Sequence, residues 1–319
     1  MLNPLFASEG AEFAGRMARF WSFQDGSVRT AAAAMVLLGV SCGALGCFIV
    51  LRRLSLVGDS LGHAVLPGVC LGFMVTWSKN PLWLFVGATS AALLASLLIG
   101  VIQRNTRLKP DVAMGLVLSG FFGLGLVLLS RLQNDPRGGQ GGLNQFFFGQ
   151  AAAIGQMELV MIAGVSAAIV AGVVVAFKEL AVSSFDEGFA ASLGMPTRRI
   201  HYFLMTLTGM AIVISIQAVG VVLLSALLIT PAATALLLTD RLPRMVVISS
   251  LLGALAGLIG LNASSLRDNL PTGPVVVLSL AALFVLALVF SPRYGLVTQA
   301  LRRWKRRREA GGTEEAALP

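Results

Sequence analysis

The chain has 319 residues, of which 56% are hydrophobic and only 12% charged, with a mean hydropathy of +0.83 and a formal net charge of +9. This composition excludes an ordinary soluble domain. The long, repeated apolar runs indicate an all-α, polytopic membrane protein, because a transmembrane barrel would show strands of about 10 residues with alternating polarity. The basic residues flank apolar segments or crowd the tail, which is typical of cytoplasmic loops and lipid headgroup contact and not of nucleic-acid binding.

Residues 1–28 form a segment that we expect to be extracytoplasmic or interfacial. Phe13, Met17 and Phe20 recur at helical spacing, as in a short helix lying in the membrane interface. Glu9 and Glu12 precede the first apolar run, so we do not expect a cleavable signal.

Apolar windows of about 17–22 residues predict nine membrane-spanning helices within a permease domain at residues 29–292. The sixth and seventh windows share one apolar stretch, which we divide between Gln217 and Gly220 because a single helix would exceed the hydrocarbon core. Eight or ten spans are the alternatives. The nine windows cover residues 30–51, 60–77, 82–102, 112–130, 157–177, 200–216, 220–238, 245–262 and 274–291.

Positive charge orients these spans. If nine spans alternate and the basic tail at 293–319 is cytoplasmic, 17 of the 24 Lys and Arg residues lie on the cytoplasmic side. We therefore expect a multi-pass protein of the cell membrane with its N-terminus outside and its C-terminus in the cytoplasm.

The second span carries an acid and an imidazole, Asp59 and His63, four residues apart and so on one helical face. Ionisable groups in hydrocarbon are costly, and a carboxylate with an imidazole can hold a divalent cation. His63 lies ten residues beyond Arg53, about 15 Å at helical rise, which predicts a site near the membrane midplane. The alternative is a buried hydrogen-bonded pair that fixes helix packing. Zinc usually takes four ligands, so a second copy of the chain could supply the other two by symmetry.

Small and helix-bending residues surround this pair. Gly58 and Gly62, like Gly68 further along, are predicted to let helices, or two chains, approach closely. Pro67 in the second span and Pro231 in the seventh are predicted to bend their helices or to free a carbonyl group toward a pathway.

The remaining cysteines and histidine have no predicted chemistry. Cys42, Cys47 and Cys70 lie within apolar spans and are predicted to be buried, without disulfides or a thiolate metal site. His201 follows two arginines at a helix end, where we expect an interfacial residue and not a ligand.

The longest polar interruption runs over residues 178–199. Ser184 can cap a short helix that has Asp186 and Glu187 in its first turn and Gly194 near its end. Two interpretations stay open, a helix resting on lipid and a docking helix for a cytoplasmic partner. An apolar stripe follows this helix: Phe185, Phe189 and Leu193.

The dipeptide Gly-Lys does not occur, so the chain has no phosphate-binding loop. ATP hydrolysis would have to come from another polypeptide, and no nucleophile arrangement predicts an enzyme.

Three stretches together resemble the membrane-spanning permease family of ABC-type importers for zinc, manganese and iron. The first runs from Leu51-Arg-Arg-Leu54 through Gly58-Asp-Ser-Leu-Gly-His-Ala-Val-Leu-Pro-Gly68, and the others are Ser183-Ser-Phe-Asp-Glu-Gly-Phe-Ala-Ala-Ser-Leu-Gly194 and Val219-Gly-Val-Val-Leu-Leu-Ser-Ala-Leu-Leu-Ile-Thr-Pro-Ala-Ala-Thr-Ala235. The resemblance implies a homodimer or paired permease, two cytoplasmic ATPase subunits that bind the ATP, and an extracytoplasmic metal-binding protein. It implies no permanently bound cofactor, only the transported metal ion.

The resemblance also implies roles for particular residues. Asp59 and His63 would contact the metal in transit, and the helix within residues 183–194 would couple the permease to its ATPase. The principal alternative is a secondary metal carrier driven by an ion gradient, which would need no docking helix. The lack of a second polar cluster at matching depth argues against an intramembrane enzyme. The coupling residues are Phe185, Asp186, Glu187, Phe189, Leu193 and Gly194.

Overall fold

The computed structural model describes residues 25–77, 80–134, 154–266, 270–291, 295 and 298–299. Eleven α-helices and no strand make up this part of the chain. In order they are α1 (Gly26–Leu51), α2 (Val57–Thr76), α3 (Pro81–Asn105), α4 (Pro110–Asn134), α5 (Gln156–Val175), α6 (Phe177–Phe185), α7 (Glu187–Ser192), α8 (Thr197–Val219), α9 (Val221–Leu238), α10 (Leu242–Ser265) and α11 (Thr272–Phe290).

Nine of these helices correspond one to one with the nine predicted spans, with ends shifted by no more than four residues. Eight are long and apolar enough to cross a membrane, and α9 contributes a shorter apolar helix, Leu224–Leu238. The all-α, polytopic architecture with about nine spans is therefore confirmed for the described residues. The two remaining helices, α6 and α7, lie in the polar interruption between the fifth and sixth spans.

The division of the long apolar stretch falls where the sequence predicts it. Gly220 separates α8 from α9 and adopts φ +86°, a conformation that glycine reaches without steric cost. Its backbone N–H donates to the carbonyl of Ile216 at 3.0 Å and closes the last turn of α8. A single residue therefore links α8 to α9.

Helix α1 is the central element, since α5, α8, α9 and α10 all pack against it. Gly39 lies directly against the backbone of Gly253 in α10, so a side chain at either position would collide with the opposite helix. One turn further along, the hydroxyl of Ser249 donates to the carbonyl of Gly43 at 2.7 Å. Glycine at these positions therefore sets the close α1–α10 contact.

Helix α2 is packed against α3, α4, α8 and α9. Gly68 lies against the backbone of Gly87 in α3, where no side chain would fit. A Cβ atom added at Gly58 would lie 3.4 Å from the Cα of Ser225 in α9, which is ordinary van der Waals contact, and Gly62 is buried. The open side of Gly58 thus faces another helix of the same chain, with room for a small side chain.

The two internal prolines do not end their helices. Pro67 lies within α2 and Pro231 within α9, and both helices continue past them. Each proline removes one backbone donor from its helix.

The three cysteines are free and buried, as predicted. His201 is half-buried on α8, and its ring meets the ring of Tyr202 edge to face, with 5.8 Å between the ring centroids. Residues 1–24 and nearly all of the tail at 293–319 lie outside the described residues, so the assignments of the N-terminal segment and the basic tail stay predictions.

Candidate metal-binding and docking sites

The acid and the imidazole of α2 lie together on a partly open face. Asp59 is in the first turn of α2 and His63 is one turn further on, with 3.6 Å between His63 Nε2 and Asp59 Oδ1. Their side chains are 45% and 26% exposed, respectively. The separation exceeds hydrogen-bond length, so the pair differs from the buried hydrogen-bonded arrangement considered as an alternative. One carboxylate and one imidazole are positioned to share a cation.

Helix α2 begins later in the chain than the predicted depth of His63 requires. Arg53 has φ +57° in a turn, and α2 begins only at Val57. Six helical steps, and not ten, separate the start of α2 from His63, which gives about 9 Å of helical rise. Asp59 and His63 therefore lie in the first half of a 20-residue helix.

The imidazole of His63 packs against an aromatic ring from α4. The rings of Phe122 and His63 meet edge to face, with 4.9 Å between centroids and an interplanar angle of 72°. Such contacts favour one ring orientation over others. Sequence reasoning missed Phe122, because a phenylalanine in an apolar span 59 residues away gives no local signal of contact with His63.

The described parts of the chain contain no group of three or more His, Cys, Asp or Glu residues that could hold a metal ion. Asp59 and His63 together offer two protein ligands, fewer than the four that zinc usually takes.

The predicted docking helix consists of two short helices, α6 and α7, with a break at Asp186. The backbone of Asp186 is extended, and its Oδ1 accepts a hydrogen bond from the N–H of Phe189 at 2.9 Å. The prediction that Ser184 caps the helix is wrong. Ser184 is a buried residue of α6, and its hydroxyl accepts a hydrogen bond from Arg52 Nε at 3.1 Å. Asp186 takes the capping role two residues later in the chain.

The apolar stripe of this segment faces outward. Phe185, Phe189 and Leu193 are 67%, 56% and 57% exposed. Glu187 begins α7, and Gly194 follows it with φ +77°, as a C-terminal glycine does. The stripe is therefore built from the end of α6 and from α7, beside the polar side chains of Asp186 and Glu187.

Apolar packing anchors this exposed segment to the transmembrane helices. Leu180 of α6 and Ala190 of α7 are fully buried. The rings of Phe177 and Phe48 meet edge to face at 6.0 Å and join α6 to α1. The exposed stripe therefore lies on a segment whose other face is packed against the transmembrane helices.

Comparison with known proteins agrees with this architecture. A sequence model described as the "ABC 3 transport family" matches residues 24–291. The manganese transport system membrane protein MntC of Bacillus subtilis is 41% identical over 276 residues, which is 86% of this chain and 63% of that protein. The zinc transport system membrane protein TroC of Treponema pallidum is 36% identical over 286 residues, covering 90% of this chain and 95% of that protein.

A solved structure shows the same fold at appreciable identity. PsaBC from Streptococcus pneumoniae in complex with Fab superposes with a TM-score of 0.77 and 35% sequence identity, covering 87% of this chain and 97% of the matched chain. The family match spans all nine long helices. The chain therefore belongs to the ABC 3 transport family, the membrane-spanning permeases of ABC-type metal importers.

Proposed function

We propose that this permease belongs to an ATP-driven importer of zinc, manganese or iron and that Asp59 and His63 contact the metal in its translocation path. The observation that carries the proposal is an acid and an imidazole 3.6 Å apart on a partly exposed face of a candidate membrane span. Such groups are costly in a bilayer unless they are paired or face a polar pathway. A divalent cation passing between them would give the carboxylate and the imidazole a partner.

The functional unit is a symmetric pair of permeases that share this site. Asp59 and His63 both keep open surface in the single chain. A second copy related by a twofold axis would bring another carboxylate and another imidazole. Four ligands match the number that zinc usually takes.

The exposed stripe at Phe185, Phe189 and Leu193 docks a cytoplasmic ATPase. Three large apolar side chains that are each more than half exposed, at four-residue intervals in one short segment, are typical of a protein interface. ATP binds to that partner, of which the importer has two copies, and an extracytoplasmic protein delivers the metal. The permease itself hydrolyses no ATP and needs no resident cofactor.

The arrangement of the connections supports the proposed orientation. Arg52, after the first span, donates hydrogen bonds to Ser183 and Ser184, after the fifth. These two connections therefore share one side of the domain, as alternating spans require. The excess of basic residues makes that side cytoplasmic.

Reconstitution of the permease in vesicles, with its partner ATPase and binding protein, tests the proposal. We expect ATP-dependent uptake of Mn²⁺, Zn²⁺ or Fe²⁺ and a fall of at least about 100-fold in Asp59→Asn and in His63→Ala, because each variant removes a metal ligand. Asp111→Asn is the matched control, since Asp111 is an exposed acid in the first turn of another span.

Two outcomes would contradict the proposal. Uptake that follows a proton gradient and needs no ATP would assign the chain to the secondary carriers. Normal uptake by the Asp59→Asn, His63→Ala double variant would place the metal path elsewhere.

A further inference from the structure

Arg52 connects two parts of the molecule that are far apart in the sequence. It lies in the turn between α1 and α2, and its Nη2 donates to Ser183 Oγ at 2.6 Å while its Nε donates to Ser184 Oγ at 3.1 Å. Both serines belong to α6, which leads into the exposed docking stripe. One guanidinium group thus joins the turn that precedes the metal-site helix to the start of the docking segment.

The hydroxyl oxygens of Ser183 and Ser184 are placed to accept the hydrogen bonds of Arg52. The hydroxyl of Ser183 donates its hydrogen to the carbonyl of Glu179 at 2.7 Å, which leaves its lone pairs for Arg52. Ser183 and Ser184 are both buried. Burial lowers the pKa of Arg52, and the negative charge of Glu187 in α7 opposes that effect. Because arginine keeps its charge, loss of these bonds would leave a half-buried cation unpaired.

Backbone hydrogen bonds stabilise the short turn that leads from Arg52 to α2. The N–H of Arg53 donates to Val50 and the N–H of Leu54 to Ile49, which ties the turn to the end of α1. The N–H of Val57 then donates to the carbonyl of Leu54 at the first residue of α2. Asp59 follows in the first turn of that helix. A displacement of Arg52 would therefore reach Asp59 through a short, bonded stretch of chain.

We propose that Arg52 is a positioning residue that transmits movement of the docking segment, residues 183–194, to the helix that carries Asp59 and His63. The inference rests on the function proposed above, because it needs an ATPase to move the docking segment. Arg52 touches neither metal nor ATP in this role. It makes the position of α2 depend on the position of α6.

Folding of the permease can be tested separately from transmission of the docking segment's movement. Contacts other than the Arg52 hydrogen bonds also hold α6 in place. Phe177 packs on Phe48 of α1, and Leu180 is fully buried. These apolar contacts persist when the Arg52 hydrogen bonds are removed. A variant of Arg52 should therefore fold and bind the ATPase, yet transmit its movement poorly.

The test measures Mn²⁺ transported per ATP hydrolysed in the reconstituted complex. We expect Arg52→Met to lower this ratio about tenfold, the equivalent of one hydrogen bond to a charged group, while the amount of co-purified ATPase is unchanged. Arg53→Met is the matched control, because Arg53 is the exposed neighbour with the same charge. Ser183→Ala with Ser184→Ala should reproduce the loss, and adding Arg52→Met should lower the ratio no further.

A normal ratio in Arg52→Met would overturn the proposal, as would a normal ratio in the serine double variant or additive losses when the variants are combined. If the Arg52→Met permease fails to assemble with the ATPase, the transport ratio of the Ser183→Ala, Ser184→Ala variant tests the proposal by itself. The Asp59→Asn variant separates this inference from the proposed function. Normal uptake by Asp59→Asn would remove the proposed metal site and leave the measured effect of Arg52 on the ratio in place.

Discussion

Pro67 follows His63 by four residues in α2, so the carbonyl oxygen of His63 lacks the backbone N–H that an α-helix would normally supply. A proline inside a helix costs about 3 kcal/mol relative to alanine. The oxygen without this donor belongs to the residue whose imidazole lies 3.6 Å from Asp59. We therefore predict that the carbonyl group of His63 takes part in metal transport.

Pro67→Ala should restore the missing donor and occupy the carbonyl of His63. We expect the rate of metal uptake to fall about two- to tenfold, the equivalent of one hydrogen bond, while the melting temperature does not fall. Pro243→Ala is the control, since Pro243 lies in the first turn of α10, where a proline removes no donor from a carbonyl of its own helix. Equal uptake in Pro67→Ala and wild type would show that this carbonyl takes no part in transport.

Phe122→Ala should weaken metal binding because the imidazole of His63 loses the ring that packs edge-on against it. We expect the dissociation constant for Mn²⁺, measured by calorimetry on the purified complex, to rise about tenfold, as for other contacts that orient a metal ligand. Phe121→Ala is a close control, because Phe121 is the adjacent half-buried phenylalanine on the same helix. Similar losses in the two variants would indicate a general packing defect.

The helices could be predicted closely because their signals are local. Each span is a long apolar window, and Gly220 marks the one place where two windows meet. The pair at Asp59 and His63 is equally local, since a four-residue spacing places both side chains on one helical face.

The parts that could not be predicted depend on contacts between distant segments. Ser184 has the chemistry of a helix cap, but Arg52, 132 residues earlier, donates to its hydroxyl, and Asp186 caps the next helix. Phe122 reaches His63 only because α4 packs against α2. A single sequence does not show which residues far apart along the chain lie close together in the fold, so neither contact could be derived from it.

Phe185→Ala combined with Phe189→Ala should separate the permease from its ATPase. Both side chains are more than half exposed, so their truncation should change the free energy of unfolding by less than about 0.5 kcal/mol. If they anchor an interface, their loss should weaken ATPase binding at least about 30-fold. Phe290→Ala is the control, since Phe290 is an equally exposed phenylalanine at the end of α11. Co-purification at wild-type levels would assign the stripe to the lipid surface.

The shared metal site requires that the second spans of two permeases approach each other. Leu71 is 52% exposed on α2 and lies within the stretch 60–72 that we expect near the twofold axis. In a background without Cys42, Cys47 and Cys70, Leu71→Cys should cross-link two chains. Leu278→Cys on α11 should not, although Leu278 is 71% exposed.

A tandem fusion of two permeases tests the same symmetry through transport. With both Asp59/His63 pairs intact it should transport normally, and with one pair replaced by Asn and Ala it should lose transport, because two ligands cannot complete a shell of about four. Absence of any cross-link along residues 60–72, in every nucleotide state, together with normal transport by the half-mutated fusion, would exclude a shared site. Each chain would then have to complete the metal shell with its own groups, and the carbonyl of His63 would be one candidate.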